Sequence, residues 1–423
     1  MKTMILIVAA GMSAALSAAP TLTGVKVTQP RAGVVKVDYT LGGEDAIVTV
    51  DFLTNGVSIG ERNFTRLEGD VNGKVAVGGR SLTWKARKDW PGHEEKVTAK
   101  VRAWALANPP DYMVVDLDGA TKGAVRYYVS TNALPEGGLA NDVYRLTKLV
   151  LRKIPARGVV WAMGTTQREE ESFRAQTART GESFANERLH AVSLSHDYFM
   201  AIYPTTQQQY MKIMGTTKDP AHFQRAQYGS DDYLMGPVET VAYDTYRGGD
   251  WPTEREPAAD TMVAKLRGFT GMDFDLPTET QWEYACRAGA ATWRPWGDSI
   301  DATRLNYNMN VKNEKKDDAN FSYRTSKVND YPPQNAWGLY DMLGNVEEMC
   351  LDRYSSSLPA DFAKGAPVID PEGPTTGTSV VTRGGGCLHG GERNRSGWRR
   401  DSGTSVTQTR GVVGVRLCCV IGK

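Results

Sequence analysis

The sequence predicts an α+β protein in two parts: an antiparallel β-sandwich first, then a larger mixed domain of short strands, short helices and many turns. From about Thr21 to Ala107 apolar residues recur at every second position, as half-buried strands require. Beyond "LVLRKIP" (149–155) the alternation gives way to capped helical segments separated by turns. At 423 residues the chain is longer than one core usually serves, which also favours two domains.

Residues 1–19 place Lys2 before an apolar run and then small residues suited to cleavage near Ala18, the pattern of a secretory signal. The expected location is therefore secreted, periplasmic or at the surface of a bacterial cell. No later segment could span a membrane. Residues 20–108 form the expected sandwich. Val35, Val37, Tyr39 and Leu41 alternate with polar residues, Asn55-Gly56 signals a hairpin, and Val97, Ala99, Val101 and Ala103 alternate again. An immunoglobulin-like or fibronectin-like sandwich fits this spacing.

Asn108-Pro109-Pro110 marks a boundary, and 109–146 reads as a transitional segment before a second domain at 147–423. In that domain "LPTETQWEYACRAG" has Thr278 as N-cap, Gln281 as its capping-box partner and Gly289 as a stop. Trp282, Ala285 and Cys286 should share its buried face. A second helix is expected over 258–268. The charged runs "REEES" (168–172) and "KNEKKDD" (312–318) read as solvated loops or helix ends.

With 50 basic and 49 acidic side chains, the charge gives no reason to expect nucleic-acid binding. The five histidines show no metal-ligand spacing, and "GGGCLHGG" lacks the Lys-Ser or Lys-Thr of a phosphate loop. Five cysteines, all in the last third of an exported chain, make disulfides possible.

Six stretches are more specific: "YPTTQQQYMKIMG", "GPVETVAYDTY", "LPTETQWEYACRAGA", "NAWGLYDMLGNVEEMC", "TRGGG" and "GVVGVRLCCV". Together, in this order, they resemble the formylglycine-generating enzyme (sulfatase-modifying factor) family. The resemblance implies a fold related to the C-type-lectin-like fold. It also implies, for catalytic members, a copper(I) site of two cysteines that oxidises a cysteine of a substrate protein. Arg383, Gly384 and Gly385 match the family's R-G-G-S motif, with Gly386 for its serine and Cys387 for the next aromatic residue. The two catalytic cysteine positions then fall on His389 and Asn394.

The expectation is thus a binding scaffold without copper chemistry, for an extracellular protein or glycan ligand held by Arg393, Arg395, Trp398 and Arg399. The rival expectation is a sulfatase-modifying oxidoreductase using an atypical thiol or metal site, with Cys387 and His389 as candidates. Cys387 is read as paired with Cys350 or as a buried thiol. The resemblance further implies calcium at Asp341, Gly344, Val346 and Glu348, with a second set at Asn306, Tyr307, Asn320 and Ser322. Glu347 and Met349 stand where the family has tryptophans, a departure that points to a changed ligand.

Overall fold

The structure is a computed structural model that describes residues 18–93, 95–177, 179, 181–308, 324–357, 365–402 and 412–422. Residues 1–17 of the expected leader, the run 312–318, and Asn320 and Ser322 lie outside the described residues. The chain divides into two compact units, Met1–Pro109 and Pro110–Lys423.

In unit 1 the strands are β1 (Thr21–Arg31), β2 (Val34–Gly42), β3 (Ala46–Thr54), β4 (Val57–Ser58), β5 (Leu67–Gly69), β6 (Lys74–Val75), β7 (Gly78–Trp84) and β8 (Thr98–Ala105). One sheet runs β1-β2-β7-β5; in the other, β3 pairs with β4, β6 and β8. The period-two residues Val35, Val37, Tyr39 and Leu41 face Val48, Phe52, Leu82 and Trp84 in a common core. Trp84 is fully buried and stacks on Phe52 at 4.7 Å between ring centroids. Asn55 and Gly56 both have positive φ, 51° and 79°, which matches the twist of the β3–β4 hairpin they join.

In unit 2 the strands are β9 (Tyr112–Asp116), β10 (Val125–Tyr128), β11 (Lys148–Ile154), β12 (Val160–Met163), β13 (His190–Ser193), β14 (Tyr198–Ala201), β15 (Phe274–Asp275), β16 (Glu347–Arg353), β17 (Val368–Ile369), β18 (Val380–Arg383), β19 (Arg399–Asp401), β20 (Val413–Val415) and β21 (Cys418–Val420). Four helices of at least eight residues occur among the described residues: α1 (Gln167–Thr177), α2 (Gln207–Met214), α3 (Met262–Thr270) and α4 (Glu279–Arg287). A six-stranded sheet runs β10-β9-β11-β14-β21-β15, a four-stranded one β19-β18-β16-β20, and a three-stranded one β12-β13-β17. The four-stranded sheet carries the site: β16 pairs antiparallel with β18 and parallel with β20.

Three expectations need correction. Residues 109–146 are not merely transitional, because β9 and β10 belong to the six-stranded sheet. Met113, Val114 and Val115 of β9 are all buried, so both faces are covered and the alternation that flags a half-buried strand is missing. The second helix starts at Met262 rather than 258, because Thr261 caps it and Asp260 has a left-handed φ of 63°. The run "REEES" lies at the start of α1, a helix end as one alternative had it, but its Glu169 is buried against Arg287 rather than solvated.

α4 follows its sequence signals. Thr278 Oγ1 accepts from Gln281 N, and Gln281 Oε1 accepts from Thr278 N. The left-handed turn that ends the helix already takes Ala288, at φ 45°, before Gly289. Trp282, Ala285 and Cys286 are fully buried, and so, nearly, are the polar Glu279, Glu283 and Arg287. Thr278→Ala should therefore lower stability by about 1 kcal/mol, the usual worth of an N-cap, read as a shift of the urea unfolding midpoint without a change of slope.

Candidate functional site

The site is assembled where β18 ends. Gly384 (φ 89°) and Gly385 (φ 68°) turn the chain sharply, and a Cβ on Gly384 would lie 2.5 Å from the Met342 carbonyl oxygen. The chain then passes Cys387 and His389, makes a short turn at Gly391–Arg393, and returns through Asn394 to β19. Two buried carboxylates on β16 point to opposite faces of the sheet, as successive strand residues must, and one of them meets this loop.

Glu348 faces the core. Its two oxygens accept from Arg416 at 2.7–3.1 Å and from the Trp282 indole at 2.7 Å. Glu347 faces the loop. It accepts from Thr382 Oγ1 at 2.8 Å and from Arg400 at 2.5 Å, and His389 Nε2 lies 3.2 Å from its Oε1. Burial together with the guanidiniums of Arg400 and Arg393 pushes His389 down to about 3. The imidazole that lies 3.2 Å from the Glu347 carboxylate is thus neutral rather than the cation of an ion pair. Nδ1 is buried and has no hydrogen-bond partner among the described residues. Burial also raises Glu347, against the opposing pull of Arg400 and Thr382.

Asn394 is fully buried and acts as a clip: its Nδ2 donates to the His389 and Gly390 carbonyls at 3.2 and 2.9 Å. Cys387 packs with Phe223, Val346 and Val412, whereas Cys350 belongs to a different core cluster. The two are not bonded, and all five cysteines are buried thiols outside any disulfide. The expected disulfide is therefore absent and the buried-thiol alternative describes Cys387. Burial pushes Cys286 and Cys419 up to about 12 and raises Cys350 and Cys387 as well, so none of these four is a ready thiolate.

The expected ligand-binding residues separate into two groups. Arg395 forms a buried two-pronged pair with Glu187, and Arg399 another with Glu279 at 2.6 and 2.8 Å. Both are structural and unavailable to a ligand. Trp398 is nearly buried beside His389, with ring centroids 5.5 Å apart. Arg393 is exposed, and Arg400 is partly exposed beside Glu347.

The expected calcium ligands do not fit the ion as a set. Glu348 is committed to Arg416 and Trp282. Asp341 alone keeps an open oxygen, Oδ1, and burial pushes its carboxyl up to about 7. No group of three or more His, Cys, Asp or Glu side chains among the described residues is arranged to hold a metal. Asn306 instead donates to the Arg324 carbonyl at 2.9 Å.

Sequence reasoning noted Glu347 and His389 separately. The signal for their pairing was that both depart from the family pattern, one on the strand and one on the loop beside it.

A mixed α/β domain with a long loop carried between β18 and β19 defines the class of protein. A family profile described as sulfatase-modifying factor enzyme 1-like domain matches residues 153–421. The chain belongs to this family. Among relatives, the serine/threonine-protein kinase pkn1 of Chlamydia pneumoniae is 30% identical over 202 residues, 47% of this chain and 29% of its own. The formylglycine-generating enzyme of Thermomonospora curvata is 40% identical over 118 residues, 27% and 38% respectively. The inactive C-alpha-formylglycine-generating enzyme 2 of Bos taurus is 40% identical over 84 residues, 19% and 28%. The matched segments thus span less than two fifths of these relatives. Among solved structures, Treponema denticola variable protein 1 matches with a TM-score of 0.48 at 20% identity, over 64% of this chain and 95% of its own.

Beneath the loop, Asp352 Oδ2 accepts from Glu279 N at 2.7 Å, and burial plus the Glu279 carboxylate push Asp352 up to about 8. A carboxyl raised in this way keeps a proton that the unfolded chain has released. The stability it contributes is complete below the unfolded value of 3.8 and is lost as pH rises through about 8. Asp352→Asn preserves the acceptor and removes the titration. Relative to the native chain the variant should gain at least about 1 kcal/mol between pH 5 and pH 8.5 in urea unfolding; a gap that does not change with pH would contradict this.

Proposed function

We propose that unit 2 is a family member in which ligand recognition replaces thiol-dependent copper oxidation, with the loop 386–402 as its recognition surface. The observation that carries this is the Glu347–His389 contact: at the first position where the family motif sets a catalytic cysteine, a buried, neutral histidine lies 3.2 Å from a buried carboxylate. At the second position, Asn394 holds the loop's own backbone. Soft thiolates suit copper(I), and an imidazole and an amide on opposite sides of a loop do not replace a dithiol. That relatives include a protein named as an inactive formylglycine-generating enzyme supports the reading.

The outward-facing part of the loop offers Leu388 and Arg393, with Arg400 partly exposed behind them. Planar guanidiniums next to an apolar residue suit an extracellular protein or an acidic glycan. The composition of the first twenty residues supports export, and unit 1, taken as an immunoglobulin-like or fibronectin-like module, serves as spacer or tether.

The test is to incubate the full chain with copper, oxygen and a cysteine-containing sulfatase-type peptide and to follow aldehyde formation, with a disulfide-exchange reagent counting reactive thiols in parallel. The expected outcome is no aldehyde and no fast-reacting thiol in the folded chain, with all five reacting after denaturation. Peptide oxidation that disappears in Cys387→Ala would overturn the proposal.

A further inference from the structure

A cavity of about 200 Å³ lies in unit 2 and shares no lining residue with the His389 cluster. Leu194, Leu276, Leu351, Val420 and Trp251 supply an apolar lining. The remaining wall carries five carboxylates, Glu256, Asp273, Asp275, Asp370 and Glu372, against two guanidiniums, Arg255 and Arg267.

Both guanidiniums are engaged by the wall itself. Arg255 grips both oxygens of Glu372 and lies over the Trp251 ring, 4.8 Å from its centroid. Arg267 donates to the Phe274 carbonyl at 2.6 Å and to Glu256, Asp273 and Asp275 at 2.9–3.1 Å. Neither therefore presents an uncommitted positive charge to an anion. Asp275 also takes Arg247 Nε, which lies outside the lining, at 3.2 Å, and with that pair counted the wall still has acceptors in excess.

His196 adds another. Asp370 accepts the Ser195 amide at 2.8 Å and the Ser195 hydroxyl, so that hydroxyl's proton is already used. Ser195 Oγ then accepts from His196 Nδ1 at 2.6 Å, which places the imidazole proton on Nδ1. His196 Nε2 is left as an acceptor with no hydrogen-bond partner among the described residues. An aspartate thus orients a histidine through a serine at the cavity wall.

A ligand complementary to this lining has several N–H donors, a positive charge and an apolar stem. A dry cavity of about 150 Å³ accepts benzene, so this one has room for a short methylene chain with a charged head. We propose that the cavity is a binding site for a primary alkylammonium group, whose stem lies along Leu194, Leu351 and Val420 and whose head is held by His196 and the carboxylates. A free diamine and a lysine side chain of a peptide share this chemistry. The proposal does not depend on how the glycine loop is read.

Isothermal titration of the full chain with cadaverine, and separately with N-acetyl-lysine methylamide, tests it, with n-pentanol and pentanoate as neutral and anionic controls. At least one amine should saturate with a Kd near or below about 1 mM, while pentanol binds at least about tenfold more weakly and pentanoate not at all. Saturation by cadaverine alone assigns a free diamine; saturation by the lysine derivative assigns a peptide side chain. Asp273→Asn and His196→Gln, each checked for native unfolding temperature, should weaken the amine about five- to tenfold. The proposal is overturned if neither amine saturates by about 20 mM. It is equally overturned if pentanol binds as well as the amines, or if both folded variants keep the native affinity.

Discussion

The ion pairs radiating from α4 hold unit 2 together. Glu279 receives Arg383 and Arg399; Glu283 receives Arg383 and Arg287; Arg287 reaches on to Glu169 of α1. All of these side chains are nearly or fully buried. Burial alone would raise Glu283, yet Arg383 and Arg287 overcome it and hold the carboxyl down to about 2. Removing one partner from such a pair costs about 3–5 kcal/mol, because the survivor is stranded without water. A nine-residue helix thereby fixes α1, β18 and β19, which are far apart in the chain.

The same lattice sets the site. Arg383, held by Glu279 and Glu283, anchors the last residue of β18, and the glycine turn leaves from that fixed point. Across the sheet, Glu348 pairs in register with Arg383. Its neighbour Glu347 must then point to the opposite face, toward His389 and Arg400. Trp282 and Arg416 thus hold Glu348 on one face, while on the other Glu347 is held by Thr382 and Arg400 and lies beside His389.

Local signals were legible in the sequence and distant ones were not. The capping box of α4 and the Asn55-Gly56 turn are written within four residues each, so their chemistry is visible without the fold. Arg395 and Arg399 looked like free donors because their carboxylate partners, Glu187 and Glu279, lie 208 and 120 residues away. β9 was missed because a strand covered on both faces has no alternation to read. Trp282 and Cys286 were placed in the core by period alone; the burial of Glu279 and Glu283 beside them follows only from arginines supplied by other elements.

The place of β21 bears on how this domain comes into being. Cys418–Val420 is inserted between β14 and β15, and β15 has no other strand partner among the described residues. Phe199 therefore waits for Cys419, more than two hundred residues later, before its side of the sheet is complete. Such contacts give a high contact order and slow folding. Until residues 418–420 leave the ribosome, β14 presents an open hydrogen-bonding edge, the kind that recruits foreign strands. Keeping that edge covered until the last strand arrives is then a demand that the order of the chain itself places on folding.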